Sequence, residues 1–103
     1  MSVPVAKVSE IPAGTTKTIT VDDVPVLLCN VDGTIYAVED VCTHDGGELD
    51  QGRLDGACVE CPRHGARFDV RSGAATQLPA FEPVETHAVR LEGDSVQVGV
   101  EHQ

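Results

Sequence analysis

Two short segments, Cys42-Thr43-His44 and Cys61-Pro62-Arg63-His64, most constrain what this chain can fold into. Sixteen residues separate them, and each carries one thiol and one imidazole. Both lie in turn-rich sequence: Asp45-Gly46-Gly47 follows the first and Gly65 the second. Two soft sulfurs and two borderline nitrogens make a metal-ligand set, suited in donor type to tetrahedral zinc or to an iron–sulfur centre. A fold that uses them as one set must bring both loops to one point.

The rest of the chain reads as all-β, with no sustained 3.6-residue periodicity and a turn signal about every ten residues. Strands are expected over 3–8, 15–21, 24–31 and 34–39, the third nearly continuously apolar and therefore buried. Asp22-Asp23 breaks the second from the third, and Asp32-Gly33 is a two-residue hairpin turn of type I′. Short strands at 52–54 and 57–60 flank Asp55-Gly56, another covers 66–70, and Arg71-Ser72-Gly73 turns it. Residues 74–83, with Pro79 and Pro83, read as an ordered loop. Segments 84–91 and 95–100 alternate around Glu92-Gly93-Asp94 as a terminal hairpin.

Length and charge narrow the function. A chain of 103 residues is one domain, here 1–103, with a thin core. It has no Trp, one Tyr and two Phe, so a bound metal is expected to contribute to folding. A net charge of −10 disfavours nucleic acid and anionic membrane surfaces and suits a basic docking partner. No stretch approaches the roughly 20 apolar residues of a membrane helix. Residues 1–10 lack the basic and apolar regions of a secretory signal, so a cytoplasmic location is expected. The four Cys then read as thiols or metal ligands, not as a disulfide framework. Four of the seven bases, Arg53, Arg63, Arg67 and Arg71, lie around the ligand segments, where they mark a docking rim or solvate a face.

Three readings of the four ligand residues compete. In the plainest, the Cys are buried thiols and the His are surface residues. In the second they hold structural zinc, but such sites usually put two Cys on one arm and two His on the other. Cys58 and Cys61 form a CxxC, yet an offset of three along a strand points them to opposite faces. Cys58 and Cys29 are therefore expected to be small buried hydrophobes. In the third reading each mixed arm gives its Cys to one iron and its His to another, which suits a two-iron cluster.

Cys-x-His followed by Cys-x-x-His-Gly resembles the Rieske signature, matched here by Cys42, His44, Cys61, His64 and Gly65. The likeness runs from about Val41 to the C-terminus, through Leu78-Pro79-Ala80. It implies one [2Fe–2S] cluster, with Cys42 and Cys61 on the buried ferric iron and His44 and His64 on the outer, valence-changing iron. It also implies an antiparallel β-sandwich base with a small cluster-binding subdomain of two ligand loops at about 40–68. Gly46, Gly47 and Gly65 would let backbone N–H groups approach the sulfides, and Leu49 and Pro79 would shield the cluster. His87 and His102 are expected to be surface residues.

The chain departs from the respiratory and photosynthetic branch of that family. Gly47 and Arg63 stand where that branch has a disulfide, and Ala66 and Phe68 where it has hydroxyl donors. Fewer donors to a sulfur-rich centre destabilise its reduced, more negative form, placing the potential toward roughly −150 mV. These features resemble the soluble Rieske ferredoxins of bacterial aromatic-ring-hydroxylating dioxygenase systems. The resemblance implies a monomeric electron carrier with no catalytic site of its own, in the catabolism of aromatic hydrocarbons. It would run from a flavin-dependent ferredoxin reductase to a terminal Rieske oxygenase. Alternatives stay open: a Rieske small subunit of a larger oxidoreductase of the nitrite-reductase type, or a zinc-binding interaction module. A Cys/His nucleophile is the weakest, since no oxyanion donor set is evident.

Overall fold

The structure, a computed structural model, describes residues 2–43, 47, 49, 52–61, 65–78 and 82–99. In chain order the strands are β1 (Ser2–Lys7), β2 (Thr16–Val21), β3 (Val24–Val31), β4 (Thr34–Glu39), β5 (Leu54–Asp55), β6 (Cys58–Glu60), β7 (Arg67–Asp69), β8 (Ala75–Gln77), β9 (Thr86–Glu92) and β10 (Ser95–Gly99). A single 3-10 turn, Val8–Glu10, is the one helical element among the described residues. None of it is a helix long and apolar enough to cross a membrane.

The strands form two antiparallel sheets. One has six strands in the order β1-β10-β9-β4-β3-β2, and the other four in the order β5-β6-β7-β8. The edge strands β1 and β2 of the larger sheet come into contact, so that sheet curls toward closure.

This curl explains the apolar run of β3. Strand side chains alternate between faces. Val26 and Leu28 enter one core with Ile11, Val21, Ile35, Ala37, Val96 and Val98. Leu27 and Cys29 enter a second core with Val38, Val59, Phe68 and Val70. Both faces of β3 are covered, so no alternation of polar residues survives in its sequence. The second core joins the two sheets and holds Cys42 and Cys61.

The turns carry their own signals. Asp32 (φ 51) and Gly33 (φ 93) are both left-handed, as a type I′ turn requires. Asp22 (φ 48) and Asp23 (φ 66) form the same kind of turn between β2 and β3. The sequence marked that pair only as a breaker. Asn30, buried, fixes the second hairpin by accepting from Gly33 N–H (2.8 Å) and donating to the Ile11 carbonyl (2.7 Å).

One expectation needs correcting. Residues 74–83 are not all loop: Ala75–Gln77 pairs with β7, Arg67 opposite Gln77 and Phe68 opposite Ala75. Gly73 makes the reversal, donating to the Asp69 carbonyl (2.7 Å) at φ +81. A Cβ there would lie 2.2 Å from the Val84 carbonyl oxygen. Three residues are too few to show a strand's alternation, and the unpaired edge of β7 recruits them anyway. His44, Gly46, Arg63, His64, Pro79, Ala80 and His102 lie outside the described residues.

Candidate metal centre

Strand ends deliver the two thiols. β4 ends at Glu39, three residues before Cys42, and β6 ends at Glu60, directly before Cys61. Both cysteines are fully buried in one apolar core with Leu49, Ala66 and Phe68. Neither is in a disulfide.

The two loops close alike. Cys42 N–H donates to the Gly47 carbonyl (2.7 Å), and Cys61 N–H donates to the Ala66 carbonyl (2.6 Å). Each bond spans the same five-residue step and encloses the segment that carries His44 or His64. In the second loop Gly65 N–H returns to the Cys61 carbonyl at 3.1 Å, with Gly65 at φ +75. At one end of the small sheet Glu60, Arg67 and Gln77 share a row, so Cys61, Ala66 and Leu78 stand together just beyond it. Leu78 is 74% exposed. Thr43, between Cys42 and His44, donates its hydroxyl to the Glu82 carbonyl at 2.8 Å, tying the first loop to the segment after Leu78.

The other cysteines separate cleanly from these two. Burial pushes the Cys29 thiol up to about 12, with the nearby Asp40 charge as the lesser cause. A thiol held that high stays protonated at neutral pH and makes a poor ligand. Cys58 lies on the opposite face from buried Val59, its Sγ 3.8 Å from Thr76 Oγ1. That alternation matches the sequence argument against a CxxC site. Cys58 is nevertheless half-buried, not the fully buried hydrophobe expected, because β6 turns it toward the outer side of a thin sheet.

Gly52 shows how closely the second loop's hairpin is packed. A Cβ there would lie 1.7 Å from the Glu60 carbonyl oxygen. Around it the arginines differ. Arg67 pairs with Glu60 (Nη2 to Oε2 2.9 Å) and with Asp55 (3.2 Å), and the Glu60 hydrogen bond first of all holds its pKa above the ordinary value. Arg71 pairs with Asp69 at 2.8 Å and, chiefly by that hydrogen bond, lowers the Asp69 pKa. Arg67 and Arg71 thus spend their charge within the fold, while Arg53 is exposed.

His87 also departs from expectation. Its side chain is only 6% exposed, 3.9 Å from the Glu39 carboxylate. It pairs across from Ala37 at the β4–β9 seam and borders a cavity of about 320 Å³ with Tyr36, Val70 and Arg71. Its place at the β4–β9 seam, facing a cavity shared with Val70 and Arg71, is long-range and could not be read from the alternation in 84–91. Sequence reasoning likewise missed Asp40 and Thr43, whose partners lie nine and 39 residues away.

The donor set fits an iron–sulfur centre: two thiols shielded from water, at the mouths of two loops closed in the same way. Comparison with known proteins agrees. The Rieske [2Fe-2S] domain family matches residues 1–88. The ferredoxin component of biphenyl 2,3-dioxygenase from Rhodococcus jostii (strain RHA1) is 47% identical over 77 residues, 75% of this chain and 72% of that protein. Among solved structures, the ferredoxin of carbazole 1,9a-dioxygenase from Nocardioides aromaticivorans IC177 superposes with a TM-score of 0.94 at 32% identity, covering 98% of this chain and 99% of that one. A chain in the complex of reduced oxygenase and oxidized ferredoxin in carbazole 1,9a-dioxygenase gives 0.92 at 32% identity, covering 99% of this chain and 95% of that one.

Proposed function

The chain belongs to the Rieske [2Fe-2S] domain family, and on that premise we propose that it is a one-electron carrier of the dioxygenase-ferredoxin kind. One cluster is held by Cys42, Cys61, His44 and His64, and bound there it supplies a one-electron couple. The observation that carries this is the burial of Cys42 and Cys61 in one apolar core, each at the mouth of a loop closed over five residues. Cys42 and Cys61 serve as thiolates. Leu49, Ala66 and Phe68, all fully buried, keep water from them. His44 and His64 serve as neutral imidazole ligands. Ala66 and Phe68 offer no hydroxyl to the sulfurs, which favours the oxidised form and a low potential.

The chain works as a monomer in the cytoplasm, without a catalytic site, between a flavin-dependent reductase and a terminal Rieske oxygenase. Support for the second partner comes from the carbazole complex, where a chain of this fold is described with its oxygenase. The two ligand loops of about 40–68, together with the four-stranded sheet that runs on through β8, form the cluster-binding subdomain, and the six-stranded sheet is its base. The test is metal and sulfide analysis of iron-replete protein with its visible spectrum. About two irons per chain and iron–sulfur absorption are expected. Zinc in place of iron would overturn the proposal.

A further inference from the structure

Taken over the whole residue, Asn30 (5% exposed) and Asp40 (3%) are the two buried polar residues among those described. The β3–β4 hairpin accounts for Asn30. Asp40 has a different place: it is 3% exposed, just after β4, two residues before Cys42. Its Oδ1 accepts a 2.7 Å hydrogen bond from the N–H of Leu49. Its own N–H donates to the Pro25 carbonyl (2.9 Å), which anchors it to β3. Leu49 is fully buried in the core that holds Cys42 and Cys61, and its carbonyl accepts from Gly52 N–H at 2.9 Å. The Asp40–Leu49 bond therefore closes the segment 40–49 outside the inner bond from Cys42 to Gly47. A buried carboxyl is costly unless its oxygens are satisfied, so an apolar residue would be the cheaper filler here.

We propose that Asp40 is the clasp of the first ligand loop. It is a positioning residue whose carboxylate pins the Leu49 backbone so that the Leu49 side chain stays packed in the core of the two thiols. The proposal rests on the carrier reading above. Opening the clasp admits water to the thiols. Water speeds loss of the metal and better solvates the more negative reduced state, so the potential rises. A role in fold stability alone would not move the potential.

Asp40→Asn keeps an oxygen that can accept from Leu49 N–H, and Asp40→Ala removes it. Both are compared with wild type as iron-loaded protein in three measurements: absorbance decay under chelator, midpoint potential, and hydrogen exchange of the peptide spanning 40–49. Asp40→Ala is expected to lose its cluster about tenfold faster, to have a less negative potential, and to exchange faster in 40–49 but not in β10. Asp40→Asn keeps the acceptor but loses the buried charge, so it is expected to stay near wild type in cluster lifetime and exchange and to show only the part of the potential rise that the lost charge causes, leaving the alanine variant with the less negative potential of the two. Wild-type lifetime and potential in Asp40→Ala would overturn the proposal. So would an Asp40→Asn as impaired as the alanine variant, which also decides the matter if Asp40→Ala does not load. A wild-type chain without iron would overturn the carrier reading instead. Exchange in 40–49, which needs only the folded chain, would still decide the clasp.

Discussion

Four cysteines of one chain meet three environments, and burial with backbone position sorts them. Cys42 and Cys61 lie buried at loop mouths, Cys29 is buried inside β3, and Cys58 is half-buried on an outer face. Iodoacetamide labelling of iron-loaded protein is therefore expected to modify Cys58 and to leave Cys29, Cys42 and Cys61 untouched by mass spectrometry. Cys29 also predicts a pH dependence. Its folded value of about 12 exceeds the ordinary 9.0, so the unfolded chain releases its proton first as pH rises. The stability this contributes is whole below pH 9 and is lost as pH climbs toward 12. Unfolding titrations of Cys29→Ala should show a lower but flatter stability across that window than wild type. At this scale the sequence was informative where chemistry is local, as in the face switch between Cys58 and Cys61. It was silent where burial comes from elsewhere, as for His87 at the β4–β9 seam.

At the scale of elements, hairpins with strong turn residues were legible and weak ones were not. Asp32-Gly33 announced its turn, whereas β8 is three residues long and depends on a glycine that alone fits beneath Val84. The meeting of Cys42 and Cys61 in one core was legible, because a metal site needs those residue types brought together. Their fastening was not, since the bonds of Thr43 and Asp40 join residues distant in sequence. The Thr43 bond should act as a latch between the first ligand loop and the segment at Glu82. Thr43→Val removes only the hydroxyl and is expected to cost about 1 kcal/mol of stability. It should also speed exchange around residue 82, while Thr43→Ser restores both. Equal behaviour of the valine and serine variants would show that the hydroxyl does no such work.

The whole molecule is a thin double core, with the two thiols in the core that joins the sheets. The curled six-stranded sheet encloses the first core without help from the ligand loops. The second core joins the sheets and contains the two thiols, so under the proposed function its stability is tied to the cluster. Removing iron is thus expected to lower the melting temperature, since metal binding free energy adds to folding free energy. Calorimetry of loaded and stripped protein checks this, and the loosened amides should lie in β5 to β8 while β2, β3 and β10 keep their protection. The acidic surface, net −10, leaves Arg53 as a described exposed base near the loops, so partner binding should weaken as salt rises. The reduction potential, measured by a redox titration followed by EPR, tests the proposed carrier most directly. With buried Ala66 and Phe68 in place of hydroxyl donors, the midpoint is expected near the low end for this cluster type, roughly −150 mV, and Ala66→Ser should raise it. A clearly positive midpoint in the wild-type protein would contradict the account.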